Sequence, residues 1–134
     1  MWVGYSEELG LSFGAEVAEA PGSLKMEGWT WALDNWTQDS DITLEVSGGS
    51  PEEFMFNLSE EVDLTKVGKL VEESKQRLKD EKGIKGVLEL VSINAPDDAD
   101  KSKMEYRILV QPEHGGTTFT FTYTLEGQFV EMSY

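Results

Sequence analysis

Apolar positions recur at two different periods along this 134-residue chain. From Val62 to Lys82 the period is helical. Leu64, Val67, Leu70, Val71, Ser74 and Leu78 return every three or four residues, which places them on one stripe of a helix. Lys66, Lys69, Glu72, Glu73, Lys75, Gln76, Lys79 and Asp80 fall mostly on the other side. Asp63 suits the N-terminal cap, because its carboxylate accepts from free backbone N–H groups. Gly83 suits the left-handed residue that ends a helix. Gly68 opposes the pattern, since an interior glycine costs ~1 kcal/mol relative to alanine.

Elsewhere the period is two, the signature of half-buried strands. Leu11, Phe13, Ala15 and Val17 alternate, and residues 1–10 carry no clear pattern. Residues 24–33 alternate with Trp29, Trp31 and Leu33 on one side. Asp34 to Asp41 reads as a loop, 41–47 as a strand, and Phe54, Phe56 and Leu58 as a short strand before the helix. Beyond the helix, Val87 to Ile93 is apolar on both faces apart from Glu89 and Ser92, as expected of an interior strand. Met104, Tyr106, Ile108 and Val110 share one face of the next strand.

Thr117 to Leu125 then alternates without a break, and Glu126-Gly127 predicts a tight two-residue turn. In that register Tyr123 faces Val130, Phe121 faces Met132 and Phe119 faces Tyr134. On the other side Thr124 faces Phe129, Thr122 faces Glu131 and Thr120 faces Ser133. Ala20 to Ser23, Gly48 to Pro51 and Pro112 to Gly116 punctuate the chain as turns.

These elements predict one α+β domain over residues 1–134. It is a curved, mainly antiparallel sheet of about 7–8 strands, partly closed, with one long helix (62–82) packed on one face. From the Gly28-Trp29 strand onward the element order loosely resembles PsbP-like domains. That likeness rests on order alone, carries no functional residue and lacks the helix such domains have near the C-terminus.

Charge adds a lopsided map. The net −15 arises from 26 acids and 11 bases. Residues 1–61 hold 13 of the acids against one base, Lys25, whereas 62–85 hold five acids and seven bases. A mildly basic helix therefore sits on a strongly acidic body. Such a field repels nucleic acid and anionic lipid and draws in basic partners.

The chain has no cysteine, which excludes disulfides, thiolate metal sites and a cysteine nucleophile. No apolar run reaches the ~20 residues of a membrane-spanning helix. The N-terminus lacks the pattern of a secretory signal, so a cytoplasmic protein is the expectation. The single histidine, His114, lies between a proline and two glycines and reads as a solvated turn residue. No glycine-rich phosphate loop occurs.

Asp97, Asp98, Asp100 and Glu105 open like a calcium loop, but Lys103 and Leu109 replace the required glycine and glutamate. Asp34, Asp39 and Asp41 form a second acidic segment. Glu89, in an apolar strand, would have a raised pKa if buried, although a solvent-facing position is the simpler expectation. No catalytic residue, cofactor site or metal site is expected.

Trp29, Trp31 and Trp36 lie within eight residues. The first two are expected to fill core, with contact to a partner or a sugar as the alternatives. The leading expectation is a non-catalytic acidic binding protein of inhibitor, immunity or phage counter-defence type. Its carboxylates would imitate phosphates and dock on a basic, nucleic-acid-handling protein. Asp34, Trp36, Asp39, Asp41, Glu45, Glu52 and Glu53 are the expected contacts, with no direct binding to nucleic acid or membrane. The alternatives are a carrier or chaperone with an apolar ligand between sheet and helix, and a small carboxylate-dependent hydrolase. The C-terminal strand is a candidate edge for a homodimer.

Overall fold

The computed structural model describes residues 1–6, 10–45, 47–93 and 100–134. Asp97 and Asp98 of the calcium-like loop, and Val46 at the end of the expected 41–47 strand, lie outside them. Eight strands form one open antiparallel sheet: β1 (Trp2–Ser6), β2 (Gly10–Ala18), β3 (Lys25–Ala32), β4 (Asn35–Thr43), β5 (Gly86–Ile93), β6 (Glu105–Pro112), β7 (Phe119–Thr124) and β8 (Phe129–Ser133). Their order is β4-β3-β2-β1-β5-β6-β7-β8, so β4 and β8 are the edges. The sheet is two four-stranded meanders joined by β1 against β5, not a partly closed barrel.

The chain returns from the β4 edge to the centre of the sheet through a 3₁₀ turn at Pro51–Phe54, a short helix α1 (Leu58–Glu61) and the long helix α2 (Val67–Lys82). A 3₁₀ turn at Leu64–Lys66 starts the long helix, with Asp63 accepting from the Thr65 amide. Gly83 ends it at φ 70°, the left-handed cap. The apolar stripe is buried as its spacing requires: Leu70, Val71, Ser74 and Leu78 pack over β5 and β6. Ser74, the one polar member, donates to the Leu70 carbonyl at 2.8 Å and accepts from the Tyr123 hydroxyl at 3.0 Å. That network satisfies two hydroxyls that burial would otherwise leave costly.

The core is strongly off-centre. Its buried members, including Leu78, Val91, Ile93, Tyr106, Ile108, Phe121 and Tyr123, all come from residue 62 onward. Met1, Val3, Phe56 and Leu58 reach it only as half-buried neighbours. Strands β2–β4 therefore extend past the roof that α2 provides. Trp29 and Trp31 do share the helix-side face, but they are half-buried and stand outside the core cluster, so they do not fill it.

Several local expectations are corrected. Residues 35–43 form β4, with only Leu33-Asp34 as the turn before it, because both faces of that edge strand are solvated and show no alternation. Phe54, Phe56 and Leu58 belong to the 3₁₀ turn and the approach to α1, not to a strand.

In the last hairpin the pairs Thr120 with Ser133, Phe121 with Met132 and Thr122 with Glu131 hold, but Tyr123 pairs with Phe129. Val130 is extra, because the loop is longer than two residues. The Gly127 amide donates to the Thr124 carbonyl at 2.8 Å, Thr124 N–H to Gln128 at 2.9 Å, and Gly127 takes φ 89°. Glu89 is the extra residue of a bulge in β5, exposed, and accepts from Thr118 Oγ1 at 2.8 Å.

Two helix substitutions separate packing from propensity. Leu78→Ala, at a fully buried position, should cost about 2–5 kcal/mol. Gly68→Ala places a methyl group where nothing lies within 4 Å and should gain up to ~1 kcal/mol. Urea unfolding followed by circular dichroism measures both.

Candidate partner-binding edge

The edge strand β4 follows from a polar sequence, Asn35-Trp-Thr-Gln-Asp-Ser-Asp-Ile-Thr43, that offers little to a core. It spans about 30 Å at the usual rise per residue. Three of the seven expected contacts, Trp36, Asp39 and Asp41, sit directly on it, and Asp34 is in the hairpin turn that precedes it.

Trp36 is 49 % exposed and meets Phe13 edge to face with ring centroids 5.7 Å apart. It lies opposite Trp31, which lies opposite Phe13, so three aromatic rings share the helix-side face beyond the end of the core. Asp41 accepts from Gln38 Nε2 at 2.7 Å. Asp39 is the extra residue of a bulge, since Gly28 pairs with Ser40 and Trp29 with Gln38. Its carboxylate accepts from Thr30 Oγ1.

Glu45, Glu52 and Glu53 lie apart from these, at the far end of β4. Leu44, next to Glu45, is tied to Leu24 through its amide at 2.8 Å. The Glu52 carboxylate sits against Gly22 in the β2–β3 turn, where a Cβ would collide with it. Glu53 accepts from the Ser50 amide at 3.3 Å. Asp34, Trp36, Asp39 and Asp41 thus form a ridge along one sheet edge, with Asp39 and Asp41 directed to opposite faces of the sheet.

The helix cations do not neutralise this ridge. Among the described residues, Lys66 pairs with Asp63, Lys75 with Glu72, and Arg77 with Glu73 and Glu81. Lys85 pairs with Glu113 and Arg107 with Glu105. Asp34, Asp39, Asp41, Glu45, Glu52 and Glu53 enter no ion pair among the described residues. The sequence spacing explains this outcome, because residues three and four apart on a helix find one another before any distant acid.

Leu33, which the alternation sets on one strand face with Trp29 and Trp31, lies instead in the turn beside these residues. It is 71 % exposed at the hairpin tip, with φ 51°, and Asp34 follows at φ 60°. Two consecutive positive φ values suit a type I′ turn, which ordinarily takes Asn-Gly. A leucine there is strained, and a branched apolar side chain gains nothing from water. Leu11, 54 % exposed, lies at the same end of the sheet in the β2–β3 register. Leu11, Leu33 and Trp36 therefore give the ridge an uncovered apolar end.

Comparison of the chain with protein-family models, with curated proteins and with solved structures gives no match. Among the described residues no group of three or more His, Cys, Asp or Glu is placed to hold a metal ion. Among the described residues no helix is long and apolar enough to cross a membrane.

The double substitution Leu33→Asn with Asp34→Gly relieves both strained positions. It should stabilise the protein by about 1–2 kcal/mol, read as a higher urea midpoint at unchanged slope. A lower midpoint would show that Leu33 contributes packing within the fold.

Proposed function

We propose that this chain is a non-catalytic binding protein that docks its β4 edge on a basic, nucleic-acid-handling protein, as inhibitors, immunity proteins and phage counter-defence proteins do. The observation that carries this reading is the combination on one edge. Asp34, Asp39 and Asp41, which enter no ion pair among the described residues, share the edge with an apolar end formed by Leu11, Leu33 and Trp36. Unpaired surface carboxylates speed encounter with a cationic surface and align it. An exposed tryptophan and a strained leucine then supply the desolvated contact that holds a complex together. Acids on both sides of an edge strand also discourage pairing with another strand, which favours side-chain recognition over sheet extension.

The carrier reading asks for an apolar space between sheet and helix. There Leu70, Leu78, Ile108 and Phe121 are packed to 2 % exposure or less, so that region supports docking better than cargo.

The test is capture of the partner from the source cell by the protein and by two control variants. Asp34→Asn/Asp39→Asn/Asp41→Asn should weaken the complex at least about tenfold, and Glu72→Gln/Asp80→Asn on the helix should leave it unchanged. Affinity of the isolated complex should fall on the order of tenfold as salt rises from about 0.05 to 0.5 M. A complex indifferent both to salt and to the edge substitutions would overturn the proposal.

A further inference from the structure

The sheet face opposite α2 carries a second feature that the edge does not explain. A groove of about 430 Å³ crosses β1–β4 there, within the range of about 300–1,000 Å³ of small-molecule sites. Leu90 and Ser92 of β5 border it, and both alternate with the core residue Val91, which fixes the groove on the uncovered side.

Its depth comes from missing side chains. Gly14 and Gly28 form the floor, and the Trp2 indole lies directly on Gly14, where a Cβ would collide with the ring. Trp2 remains 36 % exposed, so part of the indole stays open to solvent. Glu16, Asp39 and Ser40 complete the walls. Thr30, itself in the lining, donates to Asp39 and orients its carboxylate. No Lys or Arg side chain contributes to the lining. The Met1 amino group, at the border of the groove, donates to the Ile93 carbonyl at 3.1 Å and lies within electrostatic reach of Glu16.

We infer that this groove receives an arginine side chain of the basic partner, its guanidinium stacked on Trp2 and hydrogen bonded to Asp39 and Glu16. An indole face attracts a planar cation, and a guanidinium stacks better than an ammonium while donating several hydrogen bonds in its plane. The Asp39 carboxylate, which enters no ion pair among the described residues, completes the match in charge. The inference rests on the docking reading for the source of the arginine. It names what one of the partner's side chains does, on the side of β4 that Asp39 faces and Trp36 does not.

The test needs no partner. N-acetyl-arginine methylamide is titrated into the ¹⁵N-labelled protein, with N-acetyl-lysine methylamide and methyl glucoside as comparison probes. The Trp2 indole resonance, assigned by its absence in Trp2→Phe, should shift saturably with the arginine probe, less with the lysine probe and not with the sugar. Asp39→Asn and Glu16→Gln, both exposed positions, should each weaken the arginine response by about three- to tenfold. Glu72→Gln, on the helix, should leave it unchanged.

A Trp2 response to the sugar in preference to arginine would overturn the inference in favour of a glycan site. Absence of a saturable response, or a response indifferent to Asp39→Asn and Glu16→Gln, would overturn it outright. Failure of the docking reading appears separately, as capture and salt dependence that ignore the edge substitutions, and leaves the probe titration readable.

Discussion

The ladder between β1 and β5 holds the molecule together. Trp2 pairs with Ser92, Val3 with Val91 and Gly4 with Leu90, and the Ile93 amide reaches the Met1 carbonyl at 3.0 Å. This short contact makes one eight-stranded sheet from two meanders. It also forces the chain to travel from the outer edge at β4 back to the middle, and the α1–α2 segment is that return path. A helix of 16 residues, about 24 Å long, cannot roof eight strands. It covers the half that it enters, β5 to β7, and leaves β2–β4 without a lid. The exposed aromatic rings of the helix-side face follow from this single mismatch of length and width.

The same path segregates the charge. Among the described residues, Lys75 pairs with Glu72 and Arg77 with Glu73 and Glu81 on the helix itself. Each such exposed pair contributes little to stability, at most about 1 kcal/mol, and neither cation pairs with an acid of the N-terminal strands. Among the described residues, Asp34, Asp39 and Asp41 of the first meander enter no ion pair. An excess that composition alone would ascribe to solubility becomes a localised field, strongest where the sheet lacks a roof.

The helix, the antiparallel sheet, the interior position of β5 and the faces of β6 and β7 were legible in the sequence because each has one wet and one dry side, or two dry ones. The edge strand β4 was not, because both of its sides are wet and no period survives. The short alternation at Phe54, Phe56 and Leu58 misled for the opposite reason. Phe54 in a 3₁₀ turn, Phe56 beyond it and Leu58 at the start of α1 mimic a strand, and of the three Phe56 and Leu58 pack against the core. The acids and Trp36 of the candidate site could be named from composition and local sequence. Leu33 could not, because its distinction is a backbone angle. The groove was hidden as well, since it is built from the absence of side chains at Gly14 and Gly28.

The bulge at Asp39 shows why the edge has its form. Continuing the register of Trp31 with Trp36 would set Met26 against Asp41, an apolar residue only 8 % exposed beside a carboxylate. One extra residue shifts the strand so that Met26 meets Ile42 instead. The same insertion leaves Asp39 and Ser40 together on the open face and turns Asp41 toward the helix side, which a strict period of two forbids. An unbulged β4 would present both aspartates to one side of the sheet. The requirement for an apolar neighbour at Met26 thus gives the edge its two-sided character. One acid stands over the glycine floor beside Trp2, and the other lies on the face that carries the aromatic row. Packing at one end of the hairpin and charge display in its middle are a single constraint, satisfied by one inserted residue.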